Sequence, residues 1–218
     1  MLLKHRPPKI ESRPVDLREG LGHLEQKSMA VLRWLNANKV DYVVVGPVAR
    51  AVHGDVDTRG PVAIVPAPYG RNYERLCTAL VAAHAGLRAE GAGRGAVSRP
   101  EQVAVKLTHE KLARGHRWML RFGGYDLDIE GHGSGAHAAS ESESTPPAGG
   151  PQSASESAPN YQELLYEAAR VELAEGLVVE VASPEDLEHY SHVRRTGTAP
   201  EFRVTRNAQA EHEPAGPA

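Results

Sequence analysis

The sequence predicts an α+β domain in which a sheet packs against helices. Three observations lead there. Core-facing side chains recur at helical spacing at Leu21, Leu24, Val31, Leu32 and Leu35, and again at Tyr73, Leu76, Cys77, Leu80, Val81 and His84. Short runs rich in β-branched residues, Val40–Val45 and Val62–Val65, lie between these helices and read as buried strands. Two later pairs of strand-like segments, Trp118–Phe122 with Tyr125–Glu130 and Val171–Leu173 with Leu177–Val181, flank glycine-bearing turns and predict hairpins.

Taken in order, residues 1–15 are rich in proline and basic side chains and are expected to form a flexible arm, ahead of a domain spanning 16–195. The first helix starts near Leu21, with Ser28 on its core-facing side, and ends near Asn36–Asn38. A short helix over Val48–His53 and the polar loop GDVDTRG follow the first strand. Further strands are expected over Leu87–Glu90 and Val103–Leu107, with a loop over 91–99 and a helical turn over Glu110–Arg114. Residues 133–159 carry no Val, Ile, Leu, Met, Phe, Trp or Tyr, so nothing there offsets the entropy of ordering, and a disordered insert is expected. Tyr161, Leu164, Leu165 and Ala168 share a helical face. Ser183-Pro184-Glu185-Asp186 combines a hydroxyl cap, a proline and acids in a first turn, which marks a last helix ending in Arg194-Arg195. Residues 196–218 read as a flexible tail.

Composition excludes some functions. With 25 Lys and Arg against 28 Asp and Glu, the net charge of −3 gives no strong signal for nucleic acid. The single cysteine, Cys77, permits no internal disulfide and fits a reducing compartment. No apolar stretch is long enough to span a bilayer, so a cytoplasmic protein without a membrane partner is expected.

The segments DYVVVGPVARAVHG, VAIVPAP and YDLDIEG, followed by YQELLYEAARVELAEGLVVEVASPEDL, stand in an informative order. Together they resemble the nucleotidyltransferase superfamily with the DNA polymerase beta-like fold. The likeness is to its small prokaryotic members, including those associated with toxin–antitoxin systems. The resemblance implies a mixed sheet, a glycine turn at Gly46 and Pro47 against which a nucleotide triphosphate would lie, and three carboxylates on adjacent strands holding two divalent ions. The first two form an Asp-x-Asp on the second strand. Here the corresponding positions are Pro61 and Ala63. Pro47 also removes one N–H from the glycine turn.

Asp126 and Asp128 lie on one strand face and match the third carboxylate, Asp126 being the better fit. Glu130 continues that face, and three acids there require water, cations or basic side chains opposite them. Asp55-Val56-Asp57 is a second Asp-x-Asp, but it stands in the polar loop. The resemblance with these losses implies a catalytically degenerate, nucleotidyltransferase-like pseudoenzyme. It would retain weak nucleotide binding or act through a cognate protein partner. The alternative is an active enzyme that uses Mg²⁺ to transfer a nucleoside monophosphate from an NTP to a protein or RNA hydroxyl. In that case Asp126 and Asp128 would be catalytic and would bind metal with Asp55 or Asp57. His53 is expected to pack or cap its helix, Cys77 to be inert core packing, and His132, His137, His189 and His192 to be solvated.

Overall fold

The computed structural model describes residues 7–88, 102–131 and 160–188. They form a mixed α+β fold around a sheet of eight strands. In chain order the elements are α1 (Gln26–Ala37), β1 (Tyr42–Val45), α2 (Gly46–Val52), β2 (Val62–Pro66), α3 (Gly70–Ala82), β3 (Gly86–Arg88), β4 (Gln102–Val103) and α4 (His109–Ala113). They continue with β5 (Trp118–Phe122), β6 (Tyr125–Ile129), α5 (Tyr161–Glu167), β7 (Ala169–Ala174) and β8 (Leu177–Val181). A helical turn over 184–188 follows.

The strands lie in the order β4-β3-β5-β6-β2-β1-β8-β7. β1 runs antiparallel to β2, whereas β2 runs parallel to β6 and β1 parallel to β8. Central β1 and β2 are buried at every position, as their unbroken apolar runs require. Pairing and alternation divide the sheet into two sides. Tyr42, Val44, Ile64, Leu120, Leu127 and Ile129 face α1, where the Tyr42 hydroxyl donates to Asn36 Oδ1 at 2.7 Å. Ala63, Asp126 and Asp128 belong to the opposite side.

Local chemistry explains the boundaries. α1 begins at Gln26 rather than near Leu21, because Gly20 turns the chain with a φ of 85° and the apolar residues before Gln26 lie in consecutive turns. The buried Ser28 is on its core side as expected. β4 is shorter than the Val103–Leu107 segment, since pairing with β3 ends at Val103. α5 starts with a capping box: Asn160 accepts from the backbone of Glu163, whose side chain accepts from Asn160 N–H. Ser183 Oγ accepts from Asp186 N–H at 3.1 Å and starts the last helical turn as its sequence predicts.

Residues 7–15 differ from the flexible arm expected of 1–15. Val15 is buried in the core. Gln26 holds its backbone from both sides, accepting from Val15 N–H at 2.7 Å and donating to Val15 C=O at 3.0 Å. Trp34 Nε1 donates to the Pro8 carbonyl, and Leu17 forms a bridge with Ala174. Isolated apolar residues among prolines, too sparse to show a period, find seats on a finished core. The loop expected over 91–99, the insert 133–159, the tail 196–218, the histidines at 132, 137, 189 and 192, and Arg194-Arg195 lie outside the described residues. Among the described residues no helix is long and apolar enough to cross a membrane.

Candidate functional site: an arginine–carboxylate ladder and its cleft

The two-residue Gly123-Gly124 turn joins β5 to β6, with both glycines in the left-handed region at φ 55° and 85°. This turn pairs Arg121 with Asp126 and Met119 with Asp128 across the hairpin. Arg121 grips Asp126 with two bonds, at 2.6 and 2.7 Å. That carboxylate pushes the Arg121 pKa up through its hydrogen bonds. Arg117, just ahead of β5, donates to Asp128 Oδ2 at 2.8 Å and to Glu130 at 3.1 Å. Arg88, at the end of β3, stands 2.9 Å from Asp128 Oδ1 and 3.9 Å from Asp126. The Arg88 approach to Oδ1 is off the line of a hydrogen bond, so this buried oxygen is held by charge alone.

Three guanidinium groups thus face three carboxylates. Asp128 and Glu130 are buried, with side chains only 3% and 4% exposed, and buried carboxylates need such partners. Of the neighbours that three aligned acids could have had, this face has arginines, not open solvent. A divalent ion at Asp128 would have to displace a guanidinium.

The strand beside the ladder carries no acid. Ala63 is the direct partner of Asp128, and Pro61 precedes the first residue of β2. Ala63 also packs under the glycine turn: a side chain at Gly46, whose φ is 64°, would come within 3.0 Å of its Cβ. α2 begins at this turn with Pro47 in its first positions, and Pro47 leans on the loop so closely that a Cβ at Gly60 would lie 2.7 Å from its ring. Asp55 and Asp57 are exposed in the loop. The Thr58 hydroxyl donates to Asp55 and holds its carboxyl below the usual range. Among the described residues no group of three or more His, Cys, Asp or Glu is placed to hold a metal ion.

A cleft of about 360 Å³ opens where β2 and β6 begin. Pro61, Arg88, Arg121 and Asp126 line its sheet side, and Lys27 and Ser28 at the start of α1 line the other. His53 ends α2 and contacts the Ala182 carbonyl at 2.8 Å, tying that helix to the end of β8. Burial pushes the Cys77 thiol pKa up, with Glu110 adding to the effect, so the thiol is held in its unreactive form.

The structure brings Asp126 and Asp128 together with arginines that the sequence reading did not single out. Arg117 and Arg121 were within reach of it. A two-residue turn at Gly123-Gly124 fixes which residues face each other, and those two arginines then fall opposite Glu130 and Asp126. Arg88 left no such signal, because β3 joins β5 only through the long-range pairing of Gly86 with Arg121 and Leu87 with Leu120. No protein-family model matches the chain, and no curated protein or solved structure matches it significantly.

Proposed function

We propose that this chain is a nucleotidyltransferase-like protein without metal-dependent transfer, which acts by binding a ligand rather than by turning one over. The observation that carries this reading is the ladder. The β6 carboxylates that would face the ions are each paired with an arginine, and the β2 position level with Asp128 is Ala63. A two-metal mechanism needs shared carboxylates from both strands to place the ions that stabilise the attacking and leaving oxygens. Here permanent cations neutralise the one acidic strand, and the other strand has nothing to offer. The mixed sheet, with β1 antiparallel and β6 parallel to β2, is compatible with the family that the sequence resembles.

The test is transfer of label from ATP, GTP, CTP and UTP, with Mg²⁺ or Mn²⁺ and cell lysate as acceptor. Silence from the wild type under every combination is expected. Metal-dependent labelling that Asp128→Asn abolishes would overturn the reading and make the chain an active transferase.

A further inference from the structure

The segment PPKIESRPV, residues 7–15, holds three prolines, which favour an extended backbone whose carbonyls find no partners within the segment. It forms neither helix nor strand, yet a row of side chains on α1 seats it. Trp34 Nε1 donates to the Pro8 carbonyl at 3.1 Å, and Asn38 Nδ2, just past the helix, donates to the same oxygen at 3.3 Å. Arg33 donates to the Arg13 carbonyl at 3.4 Å, and Gln26 to the Val15 carbonyl at 3.0 Å. Each of these bonds ends on a main-chain oxygen. The row therefore holds an extended, proline-shaped backbone rather than a particular set of polar side chains.

Beside the prolines a groove of about 260 Å³ stays open. Pro7, Pro8 and Ile10 line one wall, and Trp34, Phe122 and His84 line the other. The Trp34 and Phe122 rings lie 4.9 Å apart, tilted by 40°, and make an apolar floor. Aromatic grooves are a general means of holding polyproline-like chains. The segment fills this one incompletely, and side chains that border an open volume lose the dispersion contacts that close packing gives. It is also held lightly at this end. Pro8 and Lys9 are exposed, and burial begins only at Val15.

We propose that this groove is the docking site for a proline-rich segment of a partner protein, and that residues 7–14 occupy it in the free chain as a built-in competitor. The partner segment carries adjacent prolines for the Trp34 and Asn38 donors and a bulky apolar side chain beside them that fills the open volume. Lifting residues 7–14 breaks the bonds from Trp34, Asn38 and Arg33 but leaves the Gln26 bonds to Val15 and the bridge of Leu17 to Ala174 in place. The exchange therefore needs no unfolding of the core. A tethered competitor acts at an effective concentration of roughly 1 mM, so it excludes weak ligands and yields to a segment that fits better. The inference goes beyond the binding reading and does not rest on it, because the groove uses none of the ladder residues.

The experiment follows the fluorescence anisotropy of a labelled peptide PPKIESRPV as the full chain is added. The wild type should bind it weakly. Pro7→Gly/Pro8→Gly alters one half-buried and one exposed position, and should bind the peptide about tenfold more tightly because the chain's own segment competes less. Lys9→Leu in the peptide should tighten binding further by filling the groove. Adding Trp34→Phe to the doubly substituted chain keeps an aromatic ring but removes the donor, and should weaken binding about tenfold, with circular dichroism checking the fold. A peptide with glycine at all three proline positions should not bind, a control that alters no residue of the protein. No binding to the doubly substituted chain up to about 1 mM, or equal binding of the glycine peptide, would overturn the proposal. So would a wild-type dimer in sedimentation that Pro7→Gly/Pro8→Gly dissolves, since the groove would then belong to a second copy. No nucleotide or metal enters the assay, so its failure is separable from a failure of the transfer reading.

Discussion

Removing Arg88 should reveal how strongly the ladder is bound into the fold. In Arg88→Met the hydrocarbon stem is largely kept and the charge is lost. Asp128, whose side chain is 3% exposed, is then left with Arg117 alone, and Arg117 must also serve Glu130, 4% exposed. Two buried carboxylates would share one guanidinium. Opposite charges about 4 Å apart attract by about 4 kcal/mol at an effective dielectric near 20. Some of this is returned, because Arg88 itself no longer has to leave water. A net loss of about 3 kcal/mol is expected, at the lower end for a broken buried pair. Urea unfolding followed by the fluorescence of Trp34 and Trp118 measures it. The double substitution Arg88→Met/Asp128→Asn removes the stranded charge as well, and should regain at least about 1 kcal/mol relative to Arg88→Met. A single substitution within about 0.5 kcal/mol of wild type, or a double less stable than the single, would refute the account of Asp128 as a charge that depends on its arginines.

Two further outcomes follow from groups the ladder does not touch. Asn72 is fully buried; it accepts from Asp41 N–H at 2.9 Å and donates to the carbonyls of Asp41 and Ala67 at 2.8 and 3.0 Å. Asn72→Ala leaves the Asp41 N–H without a partner and takes one of two donors from the Asp41 and Ala67 carbonyls, which keep the N–H groups of Ala67 and Tyr69; it should cost about 2 kcal/mol in urea unfolding, whereas an exposed Arg71→Ala should change little. Tyr42 is buried beneath α1, and burial raises its phenol pKa. The folded chain therefore keeps this proton at a pH where the unfolded chain, with a phenol pKa of about 10, releases it. Its contribution is full below that value and is lost as pH rises beyond it, by about 1.4 kcal/mol per pH unit. Tyr42→Phe should flatten the fall of stability above about pH 10 while losing about 1 kcal/mol at neutral pH with the bond to Asn36.

How much of this was legible in the sequence depended on whether a signal was local. The helix over Tyr73–Leu80, the buried runs of β1 and β2 and both hairpins carry their evidence in neighbouring residues, through period, β-branching and turn glycines. Asp126, Asp128 and Glu130 could be placed on one strand face by alternation, and the need for counter-charges followed from their like sign. The identity of those charges did not. Arg88 comes from a strand of three residues, set beside β5 by a crossover through α3 that no spacing announces. Asn72 sits between Arg71 and Tyr73 and looks like a surface position, until the turn at Ala67 and the start of β1 are brought beside it. The seat of Val15 was hidden for the same reason, because Gln26, its partner, lies on a helix whose start the glycines had moved. The cleft at Ser28 combined both problems: its core-side position was readable from the helical period, but the opening of that position onto Arg88 and Arg121 exists only in three dimensions.

The β5–β6 hairpin also has error correction written into it. Its pairing sets Arg121 against Asp126, with Arg117 reaching Asp128 and Glu130. If the two strands slid by one residue, the acids would turn toward the apolar side that packs α1. A slide of two would restore the facing but set Arg121 against either Gly124 or Asp128, and in each case a charge would be stranded. Only one alignment neutralises the whole row, so the charges that partner the acids also favour a single register of the hairpin.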